Sequence, residues 1–127
     1  MQEFCKQHGI ILTAYSPFGG PERKPREGMP ADFNKNQEEN KPVIWGNETL
    51  KAIADKHGKT VSQILLKVHT ARGISVIPKT VKRERLVENA SIFDFDLDDE
   101  DMAQIKGLDS GKSCAIDFFR KLLASRQ

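Results

Sequence analysis

The period of the apolar positions changes along this chain, and the changes mark its elements. From Ile10 to Tyr15 the run Ile-Ile-Leu-Thr-Ala-Tyr is β-rich and ends in the turn-forming cluster Ser16, Pro17, Phe18, Gly19, Gly20, which predicts a strand and then a turn. Further on the spacing becomes helical. Leu50, Ile53, Ala54 and His57 share one face behind a capping Asn47, and Gly58 supplies the stop. Thr60 and Gln63 form a capping-box pattern that opens a second helix, with Val61, Ile64, Leu65 and Val68 on its buried stripe and Gly73 at its end. The apolar run Ile74, Val76, Ile77 predicts a short buried strand, and a further amphipathic segment begins near Arg85. Phe93-Asp94-Phe95-Asp96-Leu97 alternates, so it should dock two aromatics while exposing carboxylates. The acidic run Asp98 to Asp101 precedes Met102, Ile105 and Leu108, which suits a helix cap that complements the dipole better than a metal site.

At the other end, Gln2 to His8 reads as the final turns of a helix, with Phe4, Cys5 and His8 on one face and Gly9 as terminator. No capping residue precedes it, so the chain reads as if cut inside an element. Residues 21–46, dense in Pro, Glu, Lys and Asn, are expected to be a mobile loop, and Trp45 near its far end is the sole Trp.

Between the second strand and the helix after it stands a concentration of polar groups. Lys79 and Thr80 follow Ile77-Pro78, and Arg85, Glu88 and Asn89 sit at i, i+3 and i+4 on one helical face. A strand, a polar turn and a helix start make an anion site, because the first backbone N–H groups of a helix are unpaired and carry partial positive charge. Lys79 and Arg85 would add two full charges.

The stretch Ile77 to Asn89 resembles the coenzyme-binding signature of the aldo-keto reductases. The resemblance implies that Lys79, Thr80 and Arg85 bind the 2'-phosphate of NADP(H) and that Glu88 and Asn89 contact the adenosine. Lys82 departs from the pattern, since many members carry a small polar residue there. Ala14 to Gly19 is similar to the family's seventh barrel strand. On that resemblance Tyr15 stacks on the nicotinamide ring and Ser16, Pro17 and Phe18 lie along the pyrophosphate, with Phe18 replacing the usual Leu. Taken by itself, Tyr15 could equally be a half-buried core aromatic. The likeness continues through Phe93 to Met102 and fades beyond about Leu108, leaving 109–127 as a variable tail. Its Phe118, Phe119, Leu122 and Leu123 could touch substrate or form a packed terminal helix. Val68 and His69 depart from the family, where a Trp-Gln pair is common.

Length limits what the resemblance can deliver. A complete (β/α)8 barrel needs roughly 250 residues, whereas this chain has 127. The expected fold class is therefore α/β: the incomplete C-terminal part of a (β/α)8 TIM barrel, about two strands with their helices and a C-terminal extension. Residues 1–127 would be a partial NADP-dependent oxidoreductase domain that needs the missing N-terminal barrel half for a complete fold. The family's catalytic Tyr, Lys, Asp and His lie in that half, so no catalytic residue is assigned here. Tyr15, which matches the stacking position, is not the proton donor. The resemblance implies a parent that reduces small aldehydes or ketones with NADP(H), while this chain alone is expected to be inactive and to bind coenzyme weakly or undetectably. The alternatives are a nucleotide-binding or regulatory module, a non-functional truncated product and an incomplete sequence.

Composition narrows the remaining classes. Lys plus Arg is 20 against 18 acidic residues, a net charge of +2, which gives no broad electrostatic attraction to nucleic acid or an anionic membrane. No apolar run is long enough to span a bilayer, and Glu3 and Lys6 make the N-terminus unlike a signal peptide. Two cysteines, Cys5 and Cys114, are too few for a disulfide framework and point to a reducing, cytoplasmic setting. His57 and His69 have no partner at metal-ligand spacing and read as structural or solvent-facing.

Overall fold

The computed structural model describes residues 2–18 and 44–109; most of the 21–46 interval and nearly all of the 109–127 tail, including Phe118, Phe119, Leu122 and Leu123, lie outside the described residues. In chain order the elements are α1 (Gln2–Gln7), β1 (Thr13–Tyr15), α2 (Glu48–His57), α3 (Val61–Ala71), β2 (Ser75–Ile77), α4 (Arg83–Ala90) and α5 (Asp99–Gly107). Among the described residues the sheet consists of β1 and β2, which pair in parallel with Thr13 opposite Ser75, Ala14 opposite Val76 and Tyr15 opposite Ile77. The Ser75 N–H also donates to the Leu12 carbonyl at 2.9 Å.

The caps explain where the helices begin. Asn47 accepts from the Leu50 N–H at 3.1 Å, Thr60 and Gln63 exchange both bonds of a capping box, and Asp98 and Asp101 do the same for α5. The helix ends follow from backbone geometry. Gly58 closes α2 at φ 61°, in the left-handed region where a residue without Cβ is unstrained, and its N–H returns to Ala54 and Asp55. All of these caps stand where the sequence places them.

The core lies between α2 and α3. Leu50, Ile53, Ala54 and Ile64 form its buried cluster, and Ile44, Val61, Leu65, Phe95, Leu97 and Ile105 pack around it. Full burial of a side chain such as Ile64 is worth roughly 1.5 to 3 kcal/mol. α3 packs against α2, β2 and α4, so the helix at the centre of the core also fixes the last strand and the helix that follows it.

Several expectations require correction. Residues 10–12 precede rather than extend β1, because β2 offers three pairing positions and the ladder ends with them. β2 is not buried: Ser75 and Ile77 are exposed and Val76 is half-buried, as expected of a sheet that α3 covers on one face. Phe93 is exposed, so of the alternating aromatics only Phe95 docks. Asp94 and Asp96 are exposed as expected, and they pair with Lys59 at 2.6 Å and Lys67 at 2.8 Å, two cations that also stand 5.2 and 5.5 Å from the Phe95 ring centroid. At the end of α1 the rings of Phe4 and His8 stack at 4.2 Å and are exposed, while Cys5 is buried.

Candidate functional site

Parallel pairing settles which chain segments meet. Because Tyr15 stands opposite Ile77, both strands end at the same edge, and the turn Ser16-Pro17-Phe18 leaves the sheet beside Pro78-Lys79-Thr80. Two segments more than sixty positions apart in sequence thus emerge together at the carboxyl ends of adjacent parallel strands, the place where α/β sheets open a crevice for ligands. Tyr15 is 66% exposed in this chain, so it is not part of the α2–α3 core. Ser16 stands at φ 49°, a left-handed conformation uncommon outside glycine, so the chain bends sharply immediately after Tyr15. Phe18 lies 5.6 Å from the Trp45 ring at 57°, joining the two described segments that flank residues 19–43. His69 is half-buried; burial holds its pKa below the ordinary value, the Arg72 charge acts in the same direction, and a hydrogen bond to the Pro17 backbone opposes them. The residue at which the sequence departs from the common pattern therefore touches the turn after β1.

The start of α4 is built differently from the starts of α2, α3 and α5. Its N-cap residue, Lys82, makes no side-chain cap bond, whereas each of the other three helices has one. Thr80 Oγ1 accepts from the Lys82 N–H at 3.2 Å, which fixes the turn but leaves the first-turn N–H groups of α4 without a side-chain acceptor. Lys79, Lys82, Arg83 and Arg85 are exposed, and among the described residues none of them forms an ion pair. Unpaired cations around an uncapped helix start favour an anion there.

Glu88 and Asn89 are half-buried near the far end of α4. Glu88 is already engaged: its Oε1 accepts from the Thr60 hydroxyl, and its backbone carbonyl accepts from Gln63 Nε2 at 3.1 Å. Sequence reasoning treated Thr60 and Gln63 as caps for their own helix and missed this second attachment. A further network, also unforeseen, joins α2 to α5. Asp101, 1% exposed, accepts from Lys56 Nζ at 2.9 Å and from His57 Nε2 at 2.7 Å. Burial pushes the Asp101 carboxyl up, but the bonds from Lys56, His57 and the Asp98 backbone outweigh it and hold the group at about 2. The Lys56 ammonium is raised by its hydrogen bonds to Asp98 and Asp101, and Asp98 is lowered by Lys56. Among the described residues no group of three or more His, Cys, Asp or Glu could hold a metal ion, and no helix is long and apolar enough to cross a membrane.

Comparison with known proteins agrees with this geometry. The chain is 40% identical over 123 residues to aldose reductase B of Dictyostelium discoideum, covering 96% of this chain and 33% of that one. It is 43% identical over 107 residues to the NAD(P)H-dependent D-xylose reductase of Scheffersomyces stipitis, covering 84% of this chain and 31% of the relative. Among solved structures, an aldo-keto reductase complexed with NADPH superposes with a TM-score of 0.70 at 38% identity, over 90% of this chain and 32% of that one. The chain thus spans about a third of the length of these relatives. A model of the aldo/keto reductase family matches residues 1–110, and with that match the chain belongs to the aldo/keto reductase family.

Proposed function

We propose that this chain is the C-terminal, coenzyme-binding portion of an NADP(H)-dependent aldo-keto reductase that reduces aldehydes or ketones to alcohols. Residues 1–127 are then part of a (β/α)8 barrel, with 21–46 as a loop segment and 109–127 as a variable tail. The observation that carries this reading is the register of β1 on β2, which sets Tyr15 and the Ser16-Pro17-Phe18 turn beside Lys79 and Thr80. One dinucleotide reaching across that edge would lay its nicotinamide on Tyr15, its pyrophosphate along Ser16, Pro17 and Phe18, and its 2'-phosphate against Lys79, Thr80 and Arg85. Glu88 and Asn89 then face the adenosine. The exposed Tyr15 ring and the uncapped, cation-rich start of α4 suit these roles.

The bound coenzyme supplies the hydride; the residues of this chain bind and orient it. Lys79 and Arg85 neutralise a phosphate dianion, and the α4 N–H groups add directional donors. Hydrogen bonds to charged groups contribute roughly 1.5 to 3 kcal/mol each, so two of them favour NADPH over NADH by about two to four powers of ten. Proton transfer to the carbonyl falls to groups outside the positions matched here, so the 127-residue chain by itself is inactive.

The test uses a whole reductase reconstructed by placing this chain in the barrel of its Dictyostelium relative. Arg85→Ala should raise the NADPH dissociation constant by about tenfold or more while leaving that for NADH within about twofold. Equal effects on both coenzymes would remove the 2'-phosphate assignment.

A further inference from the structure

The end of α4 is held by α3, through residues whose sequence signal is only that of a local cap. Gln63 is buried, and every polar atom of its side chain is used: Oε1 accepts from the Thr60 N–H at 3.0 Å, and Nε2 donates to the Glu88 carbonyl at 3.1 Å and the Ser91 carbonyl at 2.9 Å. Thr60 Oγ1 in turn accepts from the Gln63 N–H at 3.3 Å and donates to Glu88 Oε1. One capping box therefore serves two helices, starting α3 and closing the last turn of α4. The Ser91 carbonyl it takes up lies beyond the helical ladder, and the Glu88 carbonyl also accepts from the Ser91 N–H at 3.1 Å, so the clasp adds to the closing turn of α4. Just beyond, Lys59 pairs with Asp94 at 2.6 Å, so three residues at the start of α3 grip the chain as it leaves α4.

α4 has little else to hold it. None of its residues is buried, and Leu86 and Val87 are exposed. A helix of eight residues is far below the length at which helices persist alone in water, so α4 depends on its attachments at both ends. One is the turn from β2 through Thr80; the other is the Thr60–Gln63 clasp. Arg85 and Asn89 stand between them.

We propose that Thr60 and Gln63 are positioning residues for the adenosine end of the coenzyme: by fixing the Glu88 carboxylate and the last turn of α4, they present Arg85, Glu88 and Asn89 in one arrangement before the nucleotide arrives. This rests on the coenzyme reading above and extends it to residues of another helix. Without the clasp the nucleotide would have to order α4 as it binds, and that cost would appear as lost affinity.

Two measurements test it, each with Asn47→Ala as control, because that substitution removes a helix cap that does not touch α4. In the 127-residue chain, amide exchange of 85–91 should quicken by about tenfold or more in Thr60→Val and Gln63→Met, whereas Asn47→Ala should leave it near the unsubstituted rate. In the reconstructed reductase the same two variants should weaken NADPH binding by about tenfold, with kcat and the KM of the carbonyl substrate within about twofold, and Thr60→Ser should restore affinity. The proposal is overturned if Thr60→Val and Gln63→Met behave like Asn47→Ala in either measurement, or if 85–91 is unprotected in the unsubstituted chain. If these variants fail while Arg85→Ala still discriminates NADPH from NADH, the clasp is wrong and the coenzyme reading stands. If Arg85→Ala fails to discriminate, the coenzyme reading falls first.

Discussion

The α2–α3–α5 core and the rim where β1 and β2 end handle polar groups in opposite ways. In the core, Asp101 sits among Lys56, His57 and the Asp98 N–H, Gln63 is fully satisfied, and each of the three helices begins with a side-chain cap. At the rim, four cations stand without ion pairs among the described residues, α4 begins uncapped, and Tyr15 and Ile77 expose apolar surface. Satisfied groups stabilise a fold. Groups left open stabilise it little and remain available to a ligand, a contrast that fits the proposal in which the core carries folding and the rim would carry coenzyme binding.

The comparison breaks most visibly if core truncation is harmless. Ile64→Ala should lower the unfolding free energy by about 2 to 5 kcal/mol, read from the urea midpoint, since Ile64 is fully buried against Leu50, Ile53 and Ala54. The next largest effect concerns acid. With its folded pKa near 2, below the usual 3.8, Asp101 contributes stability above about pH 4 that is lost as the pH falls toward 2. Asp101→Asn should abolish that part of the acid transition and cost about 2 kcal/mol at neutral pH, measured by urea unfolding across pH. The smallest effect sharpens the contrast: Arg85→Ala should change stability by no more than about 0.5 kcal/mol, while on the proposed reading it should weaken coenzyme binding about tenfold in the reconstructed enzyme.

What the sequence reveals follows from the range of the signal. The caps at Asn47, at Thr60 with Gln63 and at Asp98 were legible because their partners stand three residues away. The two halves of the rim were legible as motifs, since each is contiguous, but their adjacency needed the strand register. The bonds from His57 to Asp101, 44 residues on, and from Thr60 to Glu88, 28 residues on, leave no local trace. His57 therefore read only as structural or solvent-facing, and Glu88 only as a contact for the adenosine. The expected burial of Ile74 to Ile77 failed for a related reason: an apolar run records that a strand can be covered on both faces, whereas α3 covers one.

The central claim is that the two motifs converge on one dinucleotide at the carboxyl ends of β1 and β2. A crystal structure of the reconstructed reductase with NADPH tests it directly. The 2'-phosphate should lie within hydrogen-bond distance of Lys79, Thr80 and Arg85, with the nicotinamide ring stacked on Tyr15; Lys79 and Arg85 directed away from the nucleotide would contradict it.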